Sequence, residues 1–199
     1  MRVGTRLLTA ATGERFRFDA GCFCLELLIT GGPGPYQRYE ILHEPADLAR
    51  WLEGSRLAEV APLSGDDIRI QPAELRRIKR FRDTMWSVAK AVAHGERPSS
   101  ADLEVLNDSA EPPPRPRLDP ATGVRQWASP VTGGQILGAA AREAIELLGG
   151  ERVERLRECA ADDCSLLFLD TSRPGSRRWC SMQRCGNRHK VNAHRARQT

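Results

Sequence analysis

A mainly α chain of the α+β class is predicted: a helical N-terminal domain with a short β-hairpin, then a small C-terminal finger of treble-clef type. Three observations predict it. Between residues 45 and 148 apolar side chains recur three and four residues apart, the period of a helix with one buried face. Pro stands where these stretches open and Gly where they close. Beyond residue 150 the chain holds two cysteine pairs of equal spacing, Cys159/Cys164 and Cys180/Cys185, in a segment too short to bury much apolar area.

The 199 residues are 40 % hydrophobic and 28 % charged, ordinary for a globular chain and enough for one medium domain with a small appendage. No apolar run approaches a membrane span, and the start, MRVGTRLLTAATGERF, has no signal-peptide core, so a cytoplasmic location and no membrane partner are expected. Charge is unevenly spread. The chain carries a net +4, yet residues 171–199 hold eight basic side chains and no acidic one, which leaves the rest near −4. A basic tail on a mildly acidic body suggests an anionic partner for the tail.

From the start, Arg15-Phe16-Arg17-Phe18 alternates and predicts a short half-buried strand. Cys22 to Thr30 is apolar apart from Glu26, and its length admits a buried strand or a helix. Cys22 and Cys24 have no second pair nearby and are expected to pack as small hydrophobes. Gly31-Gly32-Pro33-Gly34-Pro35 reads as a loop without the Gly-Lys-Ser/Thr ending of a phosphate-binding loop. Glu44-Pro45 opens a helix through Leu48, Trp51 and Leu52, closed by Gly54. Gln71-Pro72 opens the longest helix, to about His94-Gly95, with Ile78, Phe81, Met85, Val88 and Val92 on the buried face. Arg76, Arg77, Lys79, Arg80 and Arg82 crowd its first half and read as a solvated face.

Ser99 or Ser100 caps the next helix, with Leu103 and Leu106 inward. The proline-rich run Glu111 to Pro116 excludes helix, and Arg117 to Trp127 reads as a small hairpin. A helix from about Pro130 to Leu148 buries Leu137, Ala141, Ala144, Ile145 and Leu148. Gly149-Gly150 ends it and marks the boundary between domains 1–150 and 151–199.

In the C-terminal domain Arg155 to Glu158 and Leu166 to Leu169 suit two short strands around the first cysteine pair, and the second pair leads into a helix over Asn187 to Arg197. Four thiolates at these spacings predict one structural Zn2+ held by Cys159, Cys164, Cys180 and Cys185. Disulfides are the rival use of clustered cysteines, disfavoured without a secretion signal. His189 and His194 are rival ligands by spacing, but the four cysteines are complete without them. Arg188, Lys190, Asn192 and Arg195 share neighbouring helix faces at three- and four-residue spacings, and with Arg177, Arg178, Arg184 and Arg197 they are nominated for nucleic-acid contact. Trp179 reads as the core of the finger rather than a base-stacking platform.

The residues Phe168-Leu169-Asp170, Arg177-Arg178-Trp179-Cys180-Ser181 and Cys185-Gly186-Asn187-Arg188 resemble the CGNR zinc finger, named for the last four. His194 stands where that family suggests an aromatic. The resemblance implies a bacterial, stress-linked transcription regulator with an N-terminal ABATE domain and the finger as its nucleic-acid contact. It also favours a short strand and then a helix ahead of the Gly31–Pro35 loop, where Glu26 and Thr30 only approximate the family's Asp and Asn-Thr motif.

The leading functional expectation is a regulator that binds nucleic acid, DNA before RNA, with a small-molecule or protein effector at the N-terminal domain. The alternative is a zinc-stabilised protein–protein module whose basic face meets an acidic partner. No triad, paired-carboxylate or open metal-site pattern supports an enzyme.

Overall fold

The computed structural model describes residues 3–195, with side chains as far as Val191; Arg197 lies outside the described residues, as do the side chains of Asn192, His194 and Arg195. The chain opens with an antiparallel hairpin, β1 (Thr5–Thr9) and β2 (Arg15–Asp19). β2 alternates as its sequence requires, with Phe16 and Phe18 buried and Arg15 and Arg17 exposed. β1 is an addition to the expected elements. α1 (Phe23–Glu26) continues as a 3-10 turn over Leu27–Thr30, and all eight residues are buried. The helical reading of this apolar run is therefore the one that holds. Glu26, buried within it, accepts from Arg6 Nε at 2.7 Å and from the Arg56 backbone amide at 2.9 Å. A buried carboxylate needs such partners.

α2 (Pro45–Leu52) starts in a capping box between Glu44 and Asp47. The short α3 (Leu57–Val60) follows, and β3 (Ile68–Arg69) pairs in parallel with β6 (Val131–Thr132). α4 (Pro72–Ala93) is the central helix and buries Leu75, Ile78, Phe81, Met85 and Val88. Its basic first half is not uniformly solvated. Arg82 is 2 % exposed, its guanidinium joined to Glu40 at 3.0 Å and Asp83 at 2.9 Å. Gly31, at φ +140°, leaves room for that pair: a Cβ there would lie 2.4 Å from the Glu40 carboxylate. The glycine-rich loop thus serves packing.

α5 (Ser100–Asp108) is capped by Ser99, which accepts from the Asp102 amide. It buries Leu106, but Leu103 is 38 % exposed, contrary to expectation. The hairpin of β4 (Pro116–Leu118) and β5 (Arg125–Trp127) stands as predicted. α6 (Gly133–Gly149) starts at the Thr132 cap and packs against α1, α4 and α5. Its buried face is Ile136, Leu137, Ala140, Ala141, Ala144 and Leu147, so the predicted stripe is corrected: Ile145 is 38 % exposed. Three helix partners demand a wider apolar face than a single stripe.

After a 3-10 turn over Glu151–Arg155, β7 (Leu156–Glu158) and β8 (Leu167–Leu169) form an antiparallel pair beside α4. Leu156 and Leu166 to Leu169 join the same apolar cluster as the N-terminal helices. The chain then forms a turn over Met182–Gly186 and α7 (Asn187–Arg195). No helix is long and apolar enough to cross a membrane among the described residues.

Candidate metal centre and nucleic-acid interface

The metal centre is built by two arms. In the first, the β7–β8 hairpin turns between Cys159 and Cys164: the Cys159 amide donates to Leu166 O and the Cys164 amide to Ala161 O, both at 2.9 Å. In the second, the Ala160 amide donates to Arg178 O at 2.9 Å and the Cys180 amide points at Cys159 Sγ at 3.3 Å. Cys185 sits on the wide turn that feeds α7. Gly186 follows because a Cβ there would come within 2.7 Å of Met182.

All four thiols are buried, and their Sγ atoms lie within 4.8 Å of one another. Cys180 Sγ is 3.5 Å from both Cys164 Sγ and Cys185 Sγ. Two thiolates on one tetrahedral Zn2+ lie about 3.8 Å apart, given Zn–S bonds of about 2.3 Å. A disulfide needs about 2.05 Å, so these are free thiols arranged as a ligand set. Hydrogen bonding from Cys164 and Cys180 holds Cys159 down to about 4 as a thiolate, while hydrogen bonding to Cys159 pushes both of those thiols up. Burial pushes Cys185 up. Without a cation the cluster retains protons; with one, four thiolates are favoured together. One structural zinc ion is thus held by Cys159, Cys164, Cys180 and Cys185, in a closed site without His189.

The nominated cations divide by burial. Arg184 is 3 % exposed: its guanidinium lies over the Phe16 ring at 5.2 Å, 3.6 Å from Asp163, and donates to Cys185 Sγ at 3.3 Å. A guanidinium enclosed this way cannot reach a phosphate, so its assignment to nucleic acid is corrected to support of the metal site. Arg177 is half-buried and occupied. It donates to the carbonyls of Asp19 at 3.2 Å, Trp179 at 3.0 Å and Cys180 at 2.6 Å, and its plane covers Phe168 at 4.1 Å. It too is a strut, tying the finger to the end of β2. Arg188 forks onto Asp163 and is half-buried. Arg178 and Lys190 are exposed, with Arg178 5.3 Å from the Trp179 ring centre.

Arg178 and Arg188 flank an open cleft of about 460 Å3, also lined by Asp162, Asp163, Trp179 and His189. The half-buried Trp179 and exposed His189 rings face each other at 4.7 Å with a 36° tilt. Sequence reasoning missed the acids and carbonyls that claim the arginines. Asp163 lies between the first two ligands, where its closeness to them was the one available signal. Asp19 and Glu14 are more than 150 residues from the arginines they approach, and no local pattern announces them. Asp170 closes the set: it accepts from the Ser172 amide at 2.9 Å and the Arg177 amide at 2.7 Å. Burial opposes its charge, but these donors and the Arg177 cation win and hold its carboxyl below the usual range.

Two family models match the chain. Residues 21–151 match ABATE, described as “Putative stress-induced transcription regulator”. Residues 155–198 match the CGNR zinc finger, whose four cysteines are those of the metal centre. No curated protein matches the chain.

Proposed function

We propose that this chain, which belongs to the ABATE family and carries a CGNR zinc finger, regulates transcription by binding nucleic acid, DNA in the first place, through exposed cations of the finger such as Arg178 and Lys190. The observation that carries the reading is the division of the cations. Arg177 and Arg184 are consumed by carbonyls, a thiolate and acids. Arg178 remains exposed beside the Trp179–His189 pair, and Lys190 remains exposed in the first turn of the helix that follows the last zinc ligand. Phosphate contacts from such cations supply salt-dependent affinity, and side chains of α7 supply base contacts. The protein acts as a binder and not as an enzyme.

The test is a titration of the zinc-loaded chain against random-sequence duplex at several salt concentrations, with and without chelator. The expected log–log slope steepens by about −0.9 per phosphate contact, and chelation abolishes binding. An absence of salt-dependent binding to duplex or single strand overturns the proposal. Capture of an acidic protein that survives nuclease treatment favours the docking-module alternative.

A further inference from the structure

We propose that Cys22, Cys24 and Glu143 form a second metal site, for a thiophilic divalent cation of the Zn2+ class, on the segment that docks the finger. The site is independent of the four-cysteine centre and of the nucleic-acid reading. Cys22 Sγ and Cys24 Sγ lie 3.6 Å apart, close to the roughly 3.8 Å edge of two thiolates on one tetrahedral zinc. The Glu143 carboxylate comes from α6, 119 positions along the chain, and accepts the Cys24 amide at 2.7 Å. Its ligand oxygen and both Sγ atoms lie within 4.8 Å of one another.

The donor types narrow the ligand. Two thiolates select a soft or borderline cation over Mg2+ or Ca2+, and one carboxylate completes three ligands. Three protein ligands leave a coordination position for water or an exogenous group, unlike the closed finger site. Among the described residues Glu143 forms no salt bridge, although it sits half-buried against the body. Burial raises the Glu143 carboxyl despite the amides of Cys24 and Phe23 and the charge of Arg152, and a bound cation would offset that burial.

The residues just before Cys22 hold the finger. Asp19 O accepts Arg177, and Ala20 O accepts the Leu169 amide at 2.9 Å. Gly21 stands so close to β8 that a Cβ would lie 2.5 Å from Leu169 O. A cation joining Cys22 and Cys24 to α6 fixes the far end of this same segment, so its occupation reaches the finger through Asp19 to Gly21.

The experiment loads the reduced full-length chain with excess 113Cd2+ or Zn2+ and then removes free metal. Two equivalents per chain are expected, with two 113Cd resonances: one of four-thiolate type, and one upfield from a site with two sulfurs and oxygen. In C22S/C24S the second equivalent and its resonance disappear while the first remain. In E143Q the dithiol remains, and the affinity for the second equivalent falls about tenfold or more, on the scale of losing a metal-site partner. Exchange of the Leu169 amide slows between one and two equivalents, and unchanged exchange overturns the link to the finger.

One equivalent in the wild-type chain overturns the site. So do two equivalents in a folded C22S/C24S variant, or a Cys22–Cys24 disulfide in the metal-loaded protein. Should the double variant fail to fold, the wild-type stoichiometry and the character of its second resonance decide.

Discussion

Arg177→Ala, set beside Arg178→Ala, separates a strut from a ligand-facing cation. The two residues are neighbours of like charge, and sequence alone assigns them one role. Arg177 donates to three carbonyl oxygens, of Asp19, Trp179 and Cys180, and covers Phe168. A hydrogen bond from a charged donor contributes about 1.5–3 kcal/mol. Water replaces part of this at a half-buried position, so Arg177→Ala is expected to cost about 2–4 kcal/mol. In a chain of this size about 1 kcal/mol moves Tm by about 2–4 °C, so a fall of roughly 5–15 °C follows. Arg178 is exposed and its guanidinium makes no such bonds among the described residues, so Arg178→Ala changes stability by under about 0.5 kcal/mol. It should instead make the salt slope of duplex binding shallower by about 0.9, the share of one phosphate. Thermal unfolding and salt titration of both zinc-loaded variants supply the readouts. An Arg177→Ala protein that melts like wild type but loses salt slope refutes the division of the cations.

Three further outcomes follow from the packing. Chelation should melt the segment from Ser172 through α7, while the amides of β7 and β8, packed on α4, stay protected from hydrogen exchange; collapse of the whole C-terminal unit contradicts the shared core. Glu40→Gln removes a carboxylate partner of the buried Arg82 and should cost about 2–3 kcal/mol at pH 7, since Asp83 still faces the guanidinium. Burial pushes Glu40 up, but the Arg82 hydrogen bond and charge outweigh it and hold the folded carboxyl below its usual value. Its contribution is therefore present above the unfolded pKa of about 4.3 and lost as pH falls through the lower folded value, so the two denaturation curves should converge as pH falls below the ordinary carboxylate range. Gly21→Ala should destabilise by more than about 2 kcal/mol in chemical denaturation, because φ is +86° and the added Cβ meets the Leu169 backbone.

Legibility followed the range of the interactions. Helices α2, α4 and α5 announced themselves because Pro at their first turns and Ser99 at a cap are local signals. The zinc ligands were equally legible, since each pair is set by four intervening residues and the metal does the rest. β1 escaped because its two leucines are adjacent rather than alternating, so that Leu8 is buried while Leu7 is 43 % exposed. The buried face of α6 was misjudged because α1, α4 and α5 share it, and sequence does not count the neighbours of a helix. The same limit governed the arginines. A charge count treats every cation in residues 171–199 as equal, whereas long-range partners set which of them remain available.

That last point changes what the basic tail means. If every cation of the finger faced an anionic partner, the finger would bind as an independent module and the body would be ballast. Two of its arginines are instead turned inward, Arg184 onto Phe16 and the metal thiolate, and Arg177 onto Asp19. Tyr36 adds a third tie by accepting the buried Leu167 amide at 2.8 Å. Exchanged against water, such a bond contributes only about 0.5–1.5 kcal/mol, and it is the burial of Leu166 to Leu169 in the shared core that favours the docked position over a tethered one. Arg178, which stays exposed, is covalently next to Arg177, and Lys190 lies on the helix that starts beside Cys185. Arg178 is therefore positioned from the body through Arg177 and Asp19, whereas Lys190 is positioned by the helix that follows the metal centre.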